Sequence, residues 1–240
     1  MPGEMGHIHV SSHPLVEDKL NRMRDKKRST SECRQLLHEV GVLLAYEITS
    51  TFPSSLSWIE KSIETPVSTK SDGRLLYGRP PVIVPVLRSG LVMAEGLNLV
   101  IPWAHFGFVG LHRDEDSYRP IEYVVKIPDP ENRLFIVVDP LIATGNSAAY
   151  TIEILRSSNV KHENIKLMCL LASRQGLNHL THLYPDIDIY VGCIDGDGTD
   201  NLGLNERKMI TPGLGDIGDR IFGTISLLDD APQEVIEKIE

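Results

Sequence analysis

The stretch "LFIVVDPLIATGNSAAYTIEIL", residues 134–155, decides the fold. Five apolar residues run into Asp139-Pro140, and the short loop "LIATGNS" follows. A helical pattern then begins at about Ser147. A short apolar run, a small-residue loop and an amphipathic stretch predict strand, turn and helix in one unit. In an open parallel sheet such a turn lies beyond the carboxyl end of its strand, where ligands bind.

The neighbouring segments repeat this alternation. "PVIVPVL" leads through "RSG" into the helix-like "LVMAEGLNLV", and "HFGFVGL" is a further run. "IKLMCLLA", the helical "GLNHLTHLY" and "IDIYVGCI" continue the series. Apolar runs alternating with amphipathic stretches predict an α/β fold, a mostly parallel sheet flanked by helices on both faces. We expect that core over residues 81–195. Upstream, "PLVEDKLNRMRDKK" and "STSECRQLLHEVGVLLAYEIT" predict an N-terminal helical region over 14–50. Ser29 and Glu32 have capping-box spacing, and Cys33, Leu36, Leu37, Val40, Leu43 and Leu44 form one apolar face. Residues 1–13 read as a polar, His-bearing tail and 51–80 as an arm outside the core. Residues 196–224 read as an insertion and a shaped loop, and 225–240 as a C-terminal extension with a short capped helix.

With 24 Lys and Arg against 33 Asp and Glu, the net charge is −9. That balance argues against general nucleic-acid or membrane-surface binding. The N-terminus has no apolar signal segment and no run approaches a membrane span in length. The three cysteines, Cys33, Cys169 and Cys193, are widely spaced and form no CxxC, so we expect buried free thiols. Cytoplasmic location is the expectation.

The opening loop suits a phosphorylated sugar. Ala143, Thr144, Gly145, Asn146 and Ser147 are small, Gly145 lets the backbone turn, and Thr144 and Ser147 bring hydroxyls. The following helix start offers unpaired N–H groups and a positive dipole end, which together make a phosphate cradle. Asp139 is better placed for sugar hydroxyls, or for a metal through water, than for the phosphate itself. The alternative is a plain strand–turn–helix connection. Arg88 in "VPVLRSGL" and Arg113 in "LHRDED" end other strands, where arginine clamps a diphosphate. "ITPGLGDIGDR", 210–220, reads as neither helix nor strand but as a loop exposing backbone donors and acceptors to a planar base; the alternative is an ordinary Gly-rich surface turn.

With these segments in hand, the chain resembles the uracil phosphoribosyltransferase family, of the type I phosphoribosyltransferase fold, over most of its length. "VDPLIATGNS" resembles the family's phosphoribosyl diphosphate motif and "PGLGDIGDRIFGT" its uracil loop; "VLRSG" and "HRDE" match two arginine-bearing loops. The resemblance implies transfer of ribosyl 5-phosphate from phosphoribosyl diphosphate to N1 of uracil in pyrimidine salvage. Uridine monophosphate (UMP) and diphosphate are then the products, and Mg2+ is the cofactor, carried by the donor rather than held directly by protein side chains. It implies donor binding by Arg88, Arg113, Asp139, Pro140, Leu141, Ile142, Ala143, Thr144, Gly145, Asn146, Ser147 and Asp216. Uracil binding falls to Ile210, Gly215, Asp216 and Ile217, and catalytic roles to Arg113 and Asp216. A homodimer or higher homo-oligomer is implied, with guanosine triphosphate (GTP) as a possible effector. No nucleic-acid or membrane partner is expected. Residues 113–133 could form a flap, with Lys126 reaching the diphosphate.

The sequence departs from the family at four places. Asn146 replaces a glycine and Met209 a tyrosine. "SRQG" with Arg174 replaces Ala-Pro-Glu-Gly, and residues 196–202 are inserted. Asp195, Asp197, Thr199 and Glu206 match part of a calcium loop, but Asp200 stands where glycine is needed, so a polar surface insertion is the preferred reading. These departures keep a second reading open: a catalytically silent nucleotide-binding relative acting as regulator or partner subunit. A third, an RNA-binding pyrimidine regulator, fits poorly with the acidic charge.

Overall fold

The computed structural model describes residues 7–50, 56–113, 120–196 and 203–224. Its strands are β1 (Ile8–Val10), β2 (Leu56–Thr65), β3 (Ser68–Gly78), β4 (Val82–Leu87), β5 (His105–Phe106), β6 (Phe108–Arg113), β7 (Pro120–Lys126), β8 (Phe135–Val138), β9 (Leu141–Ile142), β10 (Ile165–Ser173) and β11 (Asp188–Asp195). Its helices are α1 (Pro14–Arg24), α2 (Thr30–Ile48), α3 (Gly90–Val100), α4 (Asn146–Ser157), α5 (Arg174–Leu183) and α6 (Ile217–Phe222).

The main sheet has the order β1-β11-β10-β8-β4-β6-β7, with β5 beside β4 and β9 beside β10. Every pairing is parallel except β6 with β7. Val137 lies at its centre, opposite Val84 on one side and Leu167 on the other. Because side chains alternate along a strand, β8 feeds two cores. Ile136 and Val138 join the helices α1, α2 and α3, while Phe135 and Val137 join α4 and α5. The result is the three-layer arrangement expected from the alternating runs.

Local chemistry explains the helices. Ser29 caps α2 in a complete capping box, its hydroxyl accepting from Glu32 N while the Glu32 carboxylate accepts from Ser29 N. Cys33, Leu37, Val40 and Leu44 are buried on the expected face, with Leu36 and Leu43 packed partly against it. Gly41 of α2 and Gly96 of α3 let these helices touch backbone to backbone. A Cβ at Gly41 would come within 2.3 Å of Met93 O, and one at Gly96 within 2.2 Å of His38 O. Residues 56–78 form a separate two-stranded hairpin, consistent with an arm outside the core.

Four expectations need correction. The polar tail expected over 1–13 contains β1, which adds to the sheet edge beside β11; His7 and His9 both bond Asp188, and His9 stacks on Tyr190. Leu141 and Ile142, read as loop, continue the sheet as β9, because the Pro140 carbonyl accepts from Leu170 N and Leu171 N. The end of the Gly-rich segment is helical. Asp216 caps α6 by accepting from Asp219 N, so 217–220 belong to a helix rather than a loop. Lys126 lies opposite Phe108, at the end of β6 away from Arg113 and the strand carboxyl ends, so it is not a site residue. Cys33 and Cys169 are buried free thiols and Cys193 is half-buried. Among the described residues no helix is long and apolar enough to cross a membrane. The flap tip 114–119, insertion residues 197–202 and the C-terminal extension lie outside the described residues.

Candidate active site

From β4 the chain passes through α3 to β6 on one side; from β8 it passes through α4 to β10 on the other. The adjacent β4 and β8 are therefore the point where the sheet's winding reverses, and a crevice opens beyond their carboxyl ends. A cavity of about 400 Å3 occupies it. Arg88 and Ser89 enter from the end of β4, Asp139 from the end of β8, and Leu141, Ala143 and Ser147 from the loop that follows. The far wall is the 208–218 segment, including Ile210, Gly215, Asp216 and Ile217. Residues read as two separate features, a phosphate loop and a base loop, thus face one space.

A small second hollow adjoins the first, lined by Asp139 and residues 141–148. Asp139, Leu141, Ala143 and Ser147 line both. Its wall is the 143–147 loop and the start of α4. Gly145 has φ +81° and forms the N-cap of α4, and Asn146 N donates to Thr144 Oγ1 at 3.4 Å. The helix starts at Asn146, one residue before the expected place. Asn146 is not among the residues with positive φ, so the side chain at this position carries no backbone strain. The loop is braced from outside by the start of α5. Ser173 Oγ donates to Ala143 O at 2.5 Å and accepts from Gly176 N at 2.9 Å. A Cβ at Gly176 would fall 2.4 Å from Ala143 O. Arg174 follows Ser173 directly, beside the cradle rather than among the cavity-lining residues.

Asp139 is mostly buried, and its charge adds to burial in pushing the Cys169 thiol well above its usual pKa. Arg88 is exposed, and its guanidinium lies 6.0 Å from the centre of the Phe222 ring in α6. The Leu87–Arg88 and Thr211–Pro212 peptides are cis. Pro140 and Ile142 are buried behind the loop and support it. Arg113 closes β6, and its side chain lies outside what the structure describes.

The 208–218 wall is held by three arginines, none of them expected from the sequence. Arg24 of α1 makes a bidentate pair with Asp195 at 2.8 and 2.7 Å and also donates to Gly213 O at 2.6 Å. Asp195 accepts from Gly213 N at 2.9 Å. Both polar groups of Gly213 are therefore fixed by one ion pair. Burial works against the Arg24 charge, but the Asp195 hydrogen bond and charge outweigh it and raise the guanidinium pKa. Arg220 donates to Met23 O, Leu214 O and Asp25 O, and Arg34 grips Ile221 O. With both its oxygens engaged by Arg24, Asp195 is a structural anchor of this wall, and residues 197 and 199 of the partial calcium-loop match lie outside the described residues.

Other wall residues were missed by sequence reasoning. His112 of β6 and Tyr123 of β7 line the cavity with ring centres 6.3 Å apart. Tyr123 reaches it by lying over Gly110, where a Cβ would meet the ring at 2.6 Å. Lys208 also lines it, next to Met209, which the sequence had marked only as a departure from the family. The signal for His112 was its place in "LHRDED"; Tyr123 and Lys208 had none.

The profile of the family described as uracil phosphoribosyltransferase matches residues 10–224. A uracil phosphoribosyltransferase of Rhodospirillum centenum is 42% identical over 217 residues, covering 90% of this chain and 95% of that protein. One of Anoxybacillus flavithermus is 44% identical over 221 residues, covering 92% of this chain and all of the relative. Among solved structures, a protein of Aquifex aeolicus superposes with a TM-score of 0.79 at 30% identity, over 90% of this chain and 98% of its own. An adenine phosphoribosyltransferase of Leishmania donovani shares the fold, with a TM-score of 0.53 at 12% identity, over 82% of this chain and 89% of its own. A mostly parallel sheet with its crevice at the β4–β8 reversal, a family profile over most of the chain and full-length relatives agree: the chain belongs to the uracil phosphoribosyltransferase family, whose members are pentosyltransferases of pyrimidine salvage.

Proposed function

We propose that the cavity holds phosphoribosyl diphosphate and uracil together and joins them into UMP and diphosphate. One observation carries this reading: the cradle hollow and the larger cavity share Asp139, Leu141, Ala143 and Ser147, so a phosphate in the first leads directly to a sugar and base in the second. The 5-phosphate takes the N–H groups of residues 144–147 and the α4 dipole. Asp139 accepts from the ribose hydroxyls. Arg88 and Arg113 neutralise the diphosphate. Ile210, Gly215, Asp216 and Ile217 bind uracil, largely through backbone groups.

In the reaction the bond between N1 of uracil and C1′ forms as the bond from C1′ to the diphosphate oxygen breaks. The electron pair leaves with diphosphate, and the N1 proton passes to solvent. Positive charge develops on the ribose ring, which Asp139 and Asp216 face, and negative charge on diphosphate, which the arginines face. Holding both reactants in one cavity supplies much of the remaining acceleration. Among the described residues no group of three metal-binding side chains occurs. Asp139 and Asp216, both lining the cavity, fit Mg2+ that arrives on the donor and is held through water. That Mg2+ supplies charge neutralisation at the leaving group.

We also propose a homodimer built through the arm. Trp58, Leu75, Leu76 and Tyr77 of the hairpin and Trp103 of the neighbouring surface are exposed, and Leu76, Tyr77 and Trp103 line one hollow. Exposed aromatic patches of this kind mark association surfaces.

The experiment is release of UMP from uracil, phosphoribosyl diphosphate and Mg2+, with Asp216→Ala beside the wild type. We expect UMP from the wild type and a loss of at least about a hundredfold in the variant. Wild-type protein that binds donor yet makes no UMP refutes the reading.

A further inference from the structure

The described chain has three non-glycine residues with positive φ: Asn132 (47°), Asn159 (65°) and Lys208 (59°). Asparagine tolerates this region through its short polar side chain; lysine, with no such local hydrogen bond, adopts it less readily. The conformation of Lys208 is imposed by its turn. Asn205 Oδ1 accepts from Arg207 N and Met209 N, both at 3.0 Å. Asn205 N donates to Met209 O and Lys208 N to Asn205 O, each at 2.9 Å. Glycine would satisfy that turn without strain. A long cationic side chain stands there instead, and it lines the cavity next to Met209 and Ile210. Strain held by surrounding structure at a ligand-lining position is a pointer to function. Among the described lining residues, Arg88 and Lys208 are the lysine and arginine charges, set against Asp139 and Asp216.

Building on the uracil reading above, we infer that Lys208 is a base-side substrate residue: its ammonium stabilises the negative charge that spreads onto a uracil carbonyl as N1 gives up its proton. Its chain neighbours Met209 and Ile210 line the same wall, the one read above as the base side. It therefore favours pyrimidines that react as their N1 anions, and its contribution is greatest for the least acidic base. The N1–C1′ bond forms and the diphosphate bond breaks as before, with the proton passing to solvent.

The test uses Lys208→Gly and Lys208→Arg, with uracil and the more acidic 5-fluorouracil. For Lys208→Gly we expect a raised Tm, because the left-handed strain is relieved. We expect kcat/KM for uracil to fall about tenfold, the effect of one charge contact in a solvent-open cavity. The fall for 5-fluorouracil is smaller and KM for the donor is unchanged. Lys208→Arg retains the wild-type ratio of the two bases. The inference is overturned by wild-type kinetics in Lys208→Gly, by equal losses for the two bases, or by a loss confined to donor binding. Absence of UMP formation by the wild type would instead sink the uracil reading itself.

Discussion

Replacing Asp195 with alanine is the most informative single perturbation of the 208–218 wall. The Asp195 side chain is 8% exposed and that of Arg24 21%. Asp195→Ala removes two charge-assisted bonds to Arg24 and the one from Gly213 N. The Gly213 N–H is then buried without an acceptor, at about 1–3 kcal/mol. Breaking a fully buried pair costs about 3–5 kcal/mol, but Arg24 can turn partly to water and keeps Gly213 O, so its share is about 1 kcal/mol. The sum is a loss of about 3 kcal/mol, measured by urea denaturation. Because Gly213 precedes Leu214, Gly215 and Asp216, the loop loses its fixed floor and KM for uracil rises about tenfold, while donor affinity is unchanged. Asp195→Asn keeps one acceptor and loses about half as much stability. A loss under about 1 kcal/mol with unchanged KM for uracil would refute the reasoning.

Three further outcomes follow from the geometry. Gly96→Ala drives a Cβ to 2.2 Å from His38 O, so α2 and α3 must separate; we expect about 2–3 kcal/mol of destabilisation by denaturation, and a loss under about 0.5 kcal/mol would contradict the backbone contact. Gly145→Ala strains a residue at φ +81° and puts a Cβ 2.9 Å from Gly176 O; calorimetry should show weakened donor binding, and unchanged binding would remove the cradle from the site. Glu32 is held at about 2, below its ordinary 4.5, chiefly by the Ser29 backbone N–H, then the Ser29 hydroxyl and Arg28. A depressed carboxylate stabilises fully above its unfolded value and loses that contribution as pH falls through the folded value. The stability gap between wild type and Glu32→Gln should therefore shrink between about pH 4.5 and about pH 2, and a constant gap would contradict the capping box.

Local signals made the fold legible. The apolar runs became β4, β8, β10 and β11, and the capping-box spacing marked the N-cap of α2 at Ser29. The loop between β8 and α4 was legible because strand, loop and helix are contiguous in sequence. What escaped depends on distant partners. β1 is three residues of "IHV", a strand only because β11 and Asp188 receive it. α6 is six residues among glycines and aspartates, made helical by the Asp216 cap and by Arg34 gripping its end. Arg24 and Asp195 lie 171 residues apart, so no local pattern announces their pair. Lys126 was misplaced because strand register decides which end of a hairpin a residue occupies. Lys208 looks like any surface lysine until its φ is seen.

The central claim is that one cavity seats the phosphate, sugar and base of a single nucleotide. A crystal structure of the protein with UMP and diphosphate tests it most directly. The account predicts the 5-phosphate within hydrogen-bond reach of the N–H groups of residues 144–147, ribose hydroxyls at Asp139, and the base against Ile210 and residues 215–217. A 5-phosphate bound away from the 143–147 loop, or a base turned from the 210–217 segment, would contradict it.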